Sequence, residues 1–416
     1  MKINNLKIIP ASGKLDNQFV GIRISNNQIE FHYPESYSLS TDDDELRKDI
    51  ISILRTISLA KSKTSDLSSY NHSFYNDYVF PLGSYLWIIN DYLTYGHYIN
   101  IEKEYVSDGN GRINWKRTFK SNPIISGKNI VYTNIVYEKK SQIDNILSTI
   151  YNCCVKKAVD NIGWLYGIKY DSNGIDYDTL FSKNTKYYLN TINTELTHTN
   201  EDSKKLRLNN MKNIITGLDE NVISTQEIIY GVDSYEYVFE RMIDSMFSNI
   251  RNIKDFYPSG TWDLRLEHGL KDSSNLRPDT VFIKDNIVYI LDAKYYRYGT
   301  TFSISDIPDT TSIQKQLTYG EYIKKIKENE YDDVYNAFIM PYSMTNNLHS
   351  DIFNKEFEFI GNATAKWADS EEYKHRKIAA ILIDTKYLIN NWNKKDINNL
   401  NMLSDLITKK LEGNYS

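Results

Sequence analysis

The run LRPDTVFIKDNIVYILDAKYY, residues 276–296, constrains the fold more than any other part of the chain. Two apolar stretches, 278–283 and 287–294, flank Lys284-Asp285-Asn286, and short β-rich runs around a polar, turn-forming tripeptide read as a hairpin. Three charges sit in this apolar setting: Asp279, Asp292 and Lys294. With the turn centred on Asp285, Asp279 is expected opposite Leu291 and so next to Asp292, while strand alternation puts Asp292 and Lys294 on one face. Two carboxylates brought together repel unless a cation lies between them. The pair suits the hard, oxygen-liking Mg²⁺, which would bridge the carboxylates and a scissile phosphate and activate a water. Lys294 would orient that water or stabilise the charge that develops. The preceding helical pattern, SYEYVFERMIDSMFSNI (234–250), offers Glu240 as a third carboxylate, with Glu236 one turn earlier on the same face as the alternative.

The bland reading of these charges is a solvated hairpin. Against it, YILDAK is apolar up to Asp292, and burying unpaired carboxylates is expensive. Short charged triplets are common by chance, and this chain shows it. Acid-x-Lys also occurs at Glu138/Lys140, Asp202/Lys204, Glu372/Lys374 and Asp384/Lys386, and a second Pro-Asp stands at Pro308-Asp309. Only the 278–294 copy joins Pro-Asp to Asp-x-Lys across a predicted hairpin, after a Glu-bearing helix and before a Gln-bearing one.

Written as PD…(D/E)xK with the order helix, strands, helix, strand, the pattern resembles the PD-(D/E)XK nuclease superfamily. The helix at 312–328, with QKQLTYGEY, resembles the glutamine-and-tyrosine helix of RecB-like nucleases. That resemblance implies that Gln316 helps position the site and that Tyr319 meets DNA. More widely, the chain resembles the LlaJI-type restriction endonucleases, related to the McrC nuclease subunit, through GRINWKRTF (111–119), NIGWL (161–165), YVFERMID (237–244), the opening hairpin, AFIMPY (337–342) and ILIDTKYL (381–388). This resemblance implies a DNA endonuclease of a bacterial restriction (phage-defence) system, cutting double-stranded DNA with Mg²⁺ beside a cognate DNA methyltransferase. It also implies a GTP-hydrolysing AAA+ partner of the McrB kind. The chain shows no P-loop of its own, because the SGK triplets at 12–14 and 126–128 lack the upstream glycine and the following hydroxyl.

The expected fold class is α/β: a PD-(D/E)XK core with a mixed sheet flanked by helices, preceded by an α+β N-terminal domain. The expected division is an N-terminal domain at 1–165 for DNA recognition or partner docking, and a polar connecting region at 166–225 with one short helix near 206–218. A nuclease domain at 226–390 and a C-terminal helix at 391–416 follow. A helix is expected from Thr41, which with Asp44 resembles a capping pair. Residues 64–76 read as a loop, and 109–140 as two strands around a turn.

A net charge of −5 excludes a polycation, so nucleic acid must meet a local basic surface or a partner. Arg112, Lys116, Arg117 and Lys120 form such a cluster and would touch DNA phosphates or a partner subunit; a charged face on an exposed hairpin is the plainer account. Tyr295 to Tyr298 mix rings and charge as single-strand binders do, or pack in the core. Cys153 and Cys154, adjacent on a helix, diverge by about 100° and fit neither a zinc site nor a disulfide. His198 and His268 lack partners at metal spacing. The start lacks the apolar core of a signal peptide, and no apolar run reaches the roughly 18 residues that cross a bilayer. A cytoplasmic protein is therefore expected, with no membrane partner. A homodimer is expected too, since cutting both strands needs two sites. Two rivals stand beside this reading: a nuclease subunit of a McrBC-like GTP-dependent complex cutting modified DNA, and a non-catalytic scaffold with a degenerate nuclease fold.

Overall fold

A computed structural model describes residues 6–11, 18–25, 28–62, 81–98, 100–107, 112–121, 123–127, 129–143, 146–171, 174–217, 227–266, 269–327, 330–368 and 373–413. The 64–76 segment and His268 lie outside these. The chain forms two compact units, one of residues 77–225 and one assembled from residues 2–76 and 226–416. The mixed α/β character expected from the sequence is present in the strands and helices of both.

The two-segment unit begins with β1 (Leu6–Ala11), β2 (Val20–Ser25), β3 (Gln28–Pro34) and α1 (Asp43–Ser62). Asp42 caps α1 by accepting the Asp44 and Glu45 N–H groups at 3.1 and 3.0 Å, one residue later than the expected Thr41 cap. The helix buries Ile50, Ile53, Leu54 and Ile57, the apolar stripe visible in its sequence.

The inserted unit holds α2 (Leu82–Tyr95), β4 (Asn100–Val106), β5 (Arg112–Ile113), α3 (Trp115–Thr118), β6 (Ile124–Ser126), β7 (Asn129–Val131) and β8 (Tyr137–Ile143). Three longer helices follow: α4 (Ile146–Tyr166), α5 (Tyr177–His198) and α6 (Asp202–Thr216). The two strands expected over 109–140 are thus several short ones broken by a helical turn. The expected connecting region is also different: α5 and α6 pack with α2 and α4 as a bundle. Its polar heart is Asp91, which takes a bidentate pair from Arg207 at 2.9 and 3.0 Å and the Tyr151 hydroxyl at 2.9 Å. Cys153 and Cys154 are buried thiols in α4.

The second segment of the other unit runs β9 (Glu227–Val232), α7 (Glu236–Phe247), β10 (Thr261–Asp263), β11 (Leu270–Asp272), β12 (Thr280–Lys284) and β13 (Ile287–Ala293). It continues with α8 (Tyr298–Thr301), α9 (Thr310–Ile326), β14 (Asp333–Tyr342), β15 (Phe357–Ala363), β16 (Ile378–Asp384), α10 (Thr385–Asn391) and α11 (Ile397–Glu412). β9 pairs antiparallel with β2 in a four-stranded sheet of order β1-β3-β2-β9. That pairing corrects the expected N-terminal domain of 1–165. The first forty residues complete a sheet whose last strand lies beyond residue 226, so they belong with the C-terminal part of the chain. The C-terminal helix is likewise no separate piece. Thr408 of α11 bonds the Tyr289 hydroxyl at 2.9 Å, and Ser404 and Asp405 take the Lys284 ammonium.

The central sheet has the order β12-β13-β14-β16-β15, with β13, β14 and β16 parallel and the two edge strands antiparallel. A parallel pair needs a crossover, and α9 supplies the one from β13 to β14. Its Tyr319 and Ile323 pack on Val281, Val288, Ile290 and Val334. The approach is close because residue 320 is glycine: a Cβ there would meet Asn336 Nδ2 at 2.4 Å. No helix among the described residues is long and apolar enough to cross a membrane.

Candidate active site

The turn between β12 and β13 sets the register of the site. It is a two-residue turn in which Asp285 and Asn286 both take positive φ, 50° and 61°, as tight hairpin turns require and as Asp and Asn tolerate. Lys284 therefore pairs with Ile287 and Thr280 with Leu291. Continuing the ladder puts Asp279 level with Asp292 itself, one residue on from the expected Leu291. The two carboxylates face each other across adjacent strands more directly than the sequence suggested.

Asp279 is tied in place by the Ala293 N–H, which donates to its Oδ2 at 2.9 Å. Asp292 is 1% exposed, and Lys294 Nζ lies 2.6 Å from its Oδ2. Beyond that ion pair, neither Asp292 oxygen accepts a hydrogen bond from the described residues. A buried carboxylate met by a single ammonium and no backbone N–H keeps acceptor positions open. The strain is visible in the neighbours. Burial, then Asp292 and Glu240, push the Asp279 carboxyl well above the usual carboxylate range. Burial, with Glu236 and Asp292, raises Glu240 to about 7. Burial works against the Lys294 charge, but Asp292 and Asp279 outweigh it and hold the ammonium above its ordinary value.

Asp279, Asp292, Lys294 and Glu240 line one cleft of about 620 Å³. Among the described residues no group of three or more His, Cys, Asp or Glu side chains converges closely enough to hold a metal ion. The donor set is thus the two level aspartates, with Glu240 of α7 farther out. Mg²⁺ is commonly held by one or two carboxylates, with waters and substrate phosphate completing its shell; two level aspartates, of which Asp279 takes one backbone N–H and Asp292 none, fit it.

Gln316 does not line the cleft. It is fully buried, donating from Nε2 to the Ile290 carbonyl at 2.9 Å and to Asn336 Oδ1 at 3.3 Å, so it braces β13 two residues before Asp292. Tyr319, expected at DNA, is also buried. Its ring is core and its hydroxyl donates to the Arg277 carbonyl at 2.7 Å, steadying the approach to Pro278-Asp279. Arg112, Lys116, Arg117 and Lys120 belong to the inserted unit and are exposed, Arg117 lying 3.8 Å over the Tyr105 ring. The residues after Lys294 follow the packing alternative: Tyr295 sits against the Tyr235 and Phe239 rings, and Arg297 forms a bidentate pair with Glu35. Asp309 of the second Pro-Asp is the cap of α9, accepting the Ser312 N–H at 2.8 Å. The sequence reading passed over three cations of the cleft, Arg241, Arg277 and Lys315, each next in the chain to a residue it did single out. That adjacency was the available signal.

A family model described as LlaJI restriction endonuclease matches residues 19–386. The Type II restriction enzyme BsuMI component YdjA of Bacillus subtilis (strain 168) is 23% identical over 374 residues, covering 84% of this chain and 77% of that protein. Among solved structures, a half-complex of Thermococcus gammatolerans McrB AAA+ hexamers with bound McrC aligns over 92% of this chain and 83% of the other, at 14% identity and a TM-score of 0.35.

Proposed function

The chain belongs to the LlaJI restriction endonuclease family, and from that premise we propose that it is a Mg²⁺-dependent deoxyribonuclease whose PD-(D/E)XK centre, at the adjoining ends of β12 and β13, hydrolyses phosphodiester bonds of double-stranded DNA. The observation that carries the reading is the level pair Asp279 and Asp292, with the Lys294 ammonium 2.6 Å from a buried Asp292 carboxylate that takes no backbone N–H. Asp279 and Asp292 would hold the ion, which when bound supplies a Lewis acid for the scissile phosphate and a water of lowered pKa. Lys294 steadies the attacking water and offsets charge gathering on the phosphate oxygens. Glu240 assists as an outer acceptor for water, and Gln316 keeps β13 in place through the Ile290 carbonyl. A degenerate scaffold is disfavoured, since a site without a ligand gains nothing from carboxylates buried close enough to raise one another's pKa.

A second reading concerns assembly. The relative in Bacillus subtilis is described as a component, which favours a nuclease subunit acting with others. In that form, cleavage would need a GTP-hydrolysing partner of the McrB kind. Pairing of two copies would supply the second cut, and a cognate methyltransferase would protect host DNA.

The test is cleavage of long duplex DNA with Mg²⁺, comparing wild type with Lys294→Ala, with and without GTP and the products of neighbouring genes. Fragments from the wild type alone, lost in the variant, support an autonomous enzyme. Fragments that need GTP and a partner support the subunit form. A variant that cuts as well as the wild type would overturn the site.

A further inference from the structure

The cleft that holds Asp279, Asp292 and Glu240 has a second chemical character. Arg241 follows Glu240 on α7, Arg277 immediately precedes Pro278-Asp279, and Lys315 immediately precedes Gln316 on α9; all three line the cleft. Each cation is therefore aimed by an element that also places an acid of the site or its support. Among the described residues none of the three forms an ion pair, whereas Lys294 is paired with Asp292. Lys315 is near enough to act on the Glu240 carboxyl through space, yet it lies beyond ion-pair distance and rests 5.8 Å over the Tyr319 ring.

The cleft interleaves these cations with its acids, Asp244 among them, yet among the described residues the three cations are left unpaired. An ion held by Asp279 and Asp292 would answer only the carboxylates. The cations are then left to meet an anion of their own, one with several negative charges spaced along it.

We infer that Arg241, Arg277 and Lys315 hold the backbone phosphates that flank the scissile one. Arg277 suits a bidentate grip on a phosphate, and Lys315 a point contact. The three act as positioning residues that align the strand with the ends of β12 and β13. The inference rests on the nuclease reading above.

Binding of a fluorescein-labelled DNA duplex of generic sequence is measured by anisotropy across a NaCl series at fixed Mg²⁺. The Lys294→Ala protein serves as parent, so that cleavage does not intervene. Each lost phosphate contact should flatten the plot of log K against log salt by about 0.9. Arg241→Ala, Arg277→Ala and Lys315→Ala should each show that step, while Arg277→Lys restores it. Lys409→Ala, an exposed lysine of α11 that does not line the cleft, should leave the slope as in the parent. Melting curves on the same samples separate this effect from loss of fold. Unchanged slopes in all three alanine variants, with wild-type protein cutting DNA normally, would overturn this inference and leave the nuclease reading standing. A parent that binds no duplex at the lowest salt, together with a wild type that cuts none under any condition above, would remove both.

Discussion

Two strands of the central sheet end alike, and only one end looks built for chemistry. β13 closes on Asp292-Ala293-Lys294 and β16 on Asp384-Thr385-Lys386; both strands are parallel to β14, which lies between them. Asp384 is spent on the backbone. Its Oδ1 accepts the Met344 N–H at 2.9 Å and its Oδ2 caps α10 through the Tyr387 N–H at 2.7 Å. Lys386 turns away from it to Asp49 at 2.8 Å, whose carboxylate also takes the Tyr37 hydroxyl and the Ser40 N–H. At β13 the same three-residue spacing has no N–H donors for Asp292, and Lys294 folds back onto it. A short motif thus says little by itself. What separates a structural Asp-x-Lys from a reactive one is whether the surroundings satisfy the carboxylate.

The contrast can be broken by substitution. The largest loss of stability is expected at Asp49→Ala, which strands the Tyr37 hydroxyl and takes from the Lys386 ammonium its charge partner, leaving it Ser40 Oγ. A partly buried pair of this kind should cost roughly 3 kcal/mol, read from urea unfolding. The same carboxylate sets an acid limb. Burial raises its pKa, but Lys386, Ser40 and Tyr37 more than reverse this and hold it below the ordinary 3.8. Its contribution is therefore present above about pH 4 and is lost as pH falls through the depressed folded value. Unfolding curves for wild type and Asp49→Asn should differ at neutral pH and converge only once the pH has fallen below that depressed value.

Asp384→Ala should cost less, about 1–2 kcal/mol, as a lost helix cap and one further backbone bond. The smallest change belongs to Asp292→Asn, expected within about 1 kcal/mol of wild type in the absence of divalent ions, because loss of the Lys294 pair is offset by relief of the repulsion that its charge exerts on Asp279 and Glu240. If Asp292→Asn proved the most destabilising of the three, Asp292 would be structural and the contrast between strand ends would collapse.

The hairpin was legible because its pattern is local: apolar runs, a turn tripeptide and charges where strand faces are otherwise buried. Glu240 was legible for a similar reason, standing on a helix whose apolar stripe was plain. The one-residue error in register came from the turn, since Lys284-Asp285-Asn286 admits more than one loop length and only the positive φ angles of Asp285 and Asn286 select two. Tyr319 was misjudged because a QLxY spacing cannot say which way a ring faces; it faces the core. The insertion was hidden for a deeper reason. Joining β2 to β9 is a pairing across some two hundred residues, and nothing in either strand alone names its partner. α5 escaped because few of its residues are apolar, with Tyr188 and Ile192 carrying much of its buried face.

The central claim is that the end of β13 does chemistry and the end of β16 does not. It is tested most directly by cleavage of duplex DNA with Asp292→Asn beside Asp384→Asn, under whichever conditions the wild type cuts, with rates normalised to folded protein. The account predicts a loss of about a thousandfold for Asp292→Asn, the several kcal/mol that a correctly held metal supplies, and wild-type rates for Asp384→Asn. Undiminished cutting by Asp292→Asn, or its loss in a folded Asp384→Asn protein, would contradict it.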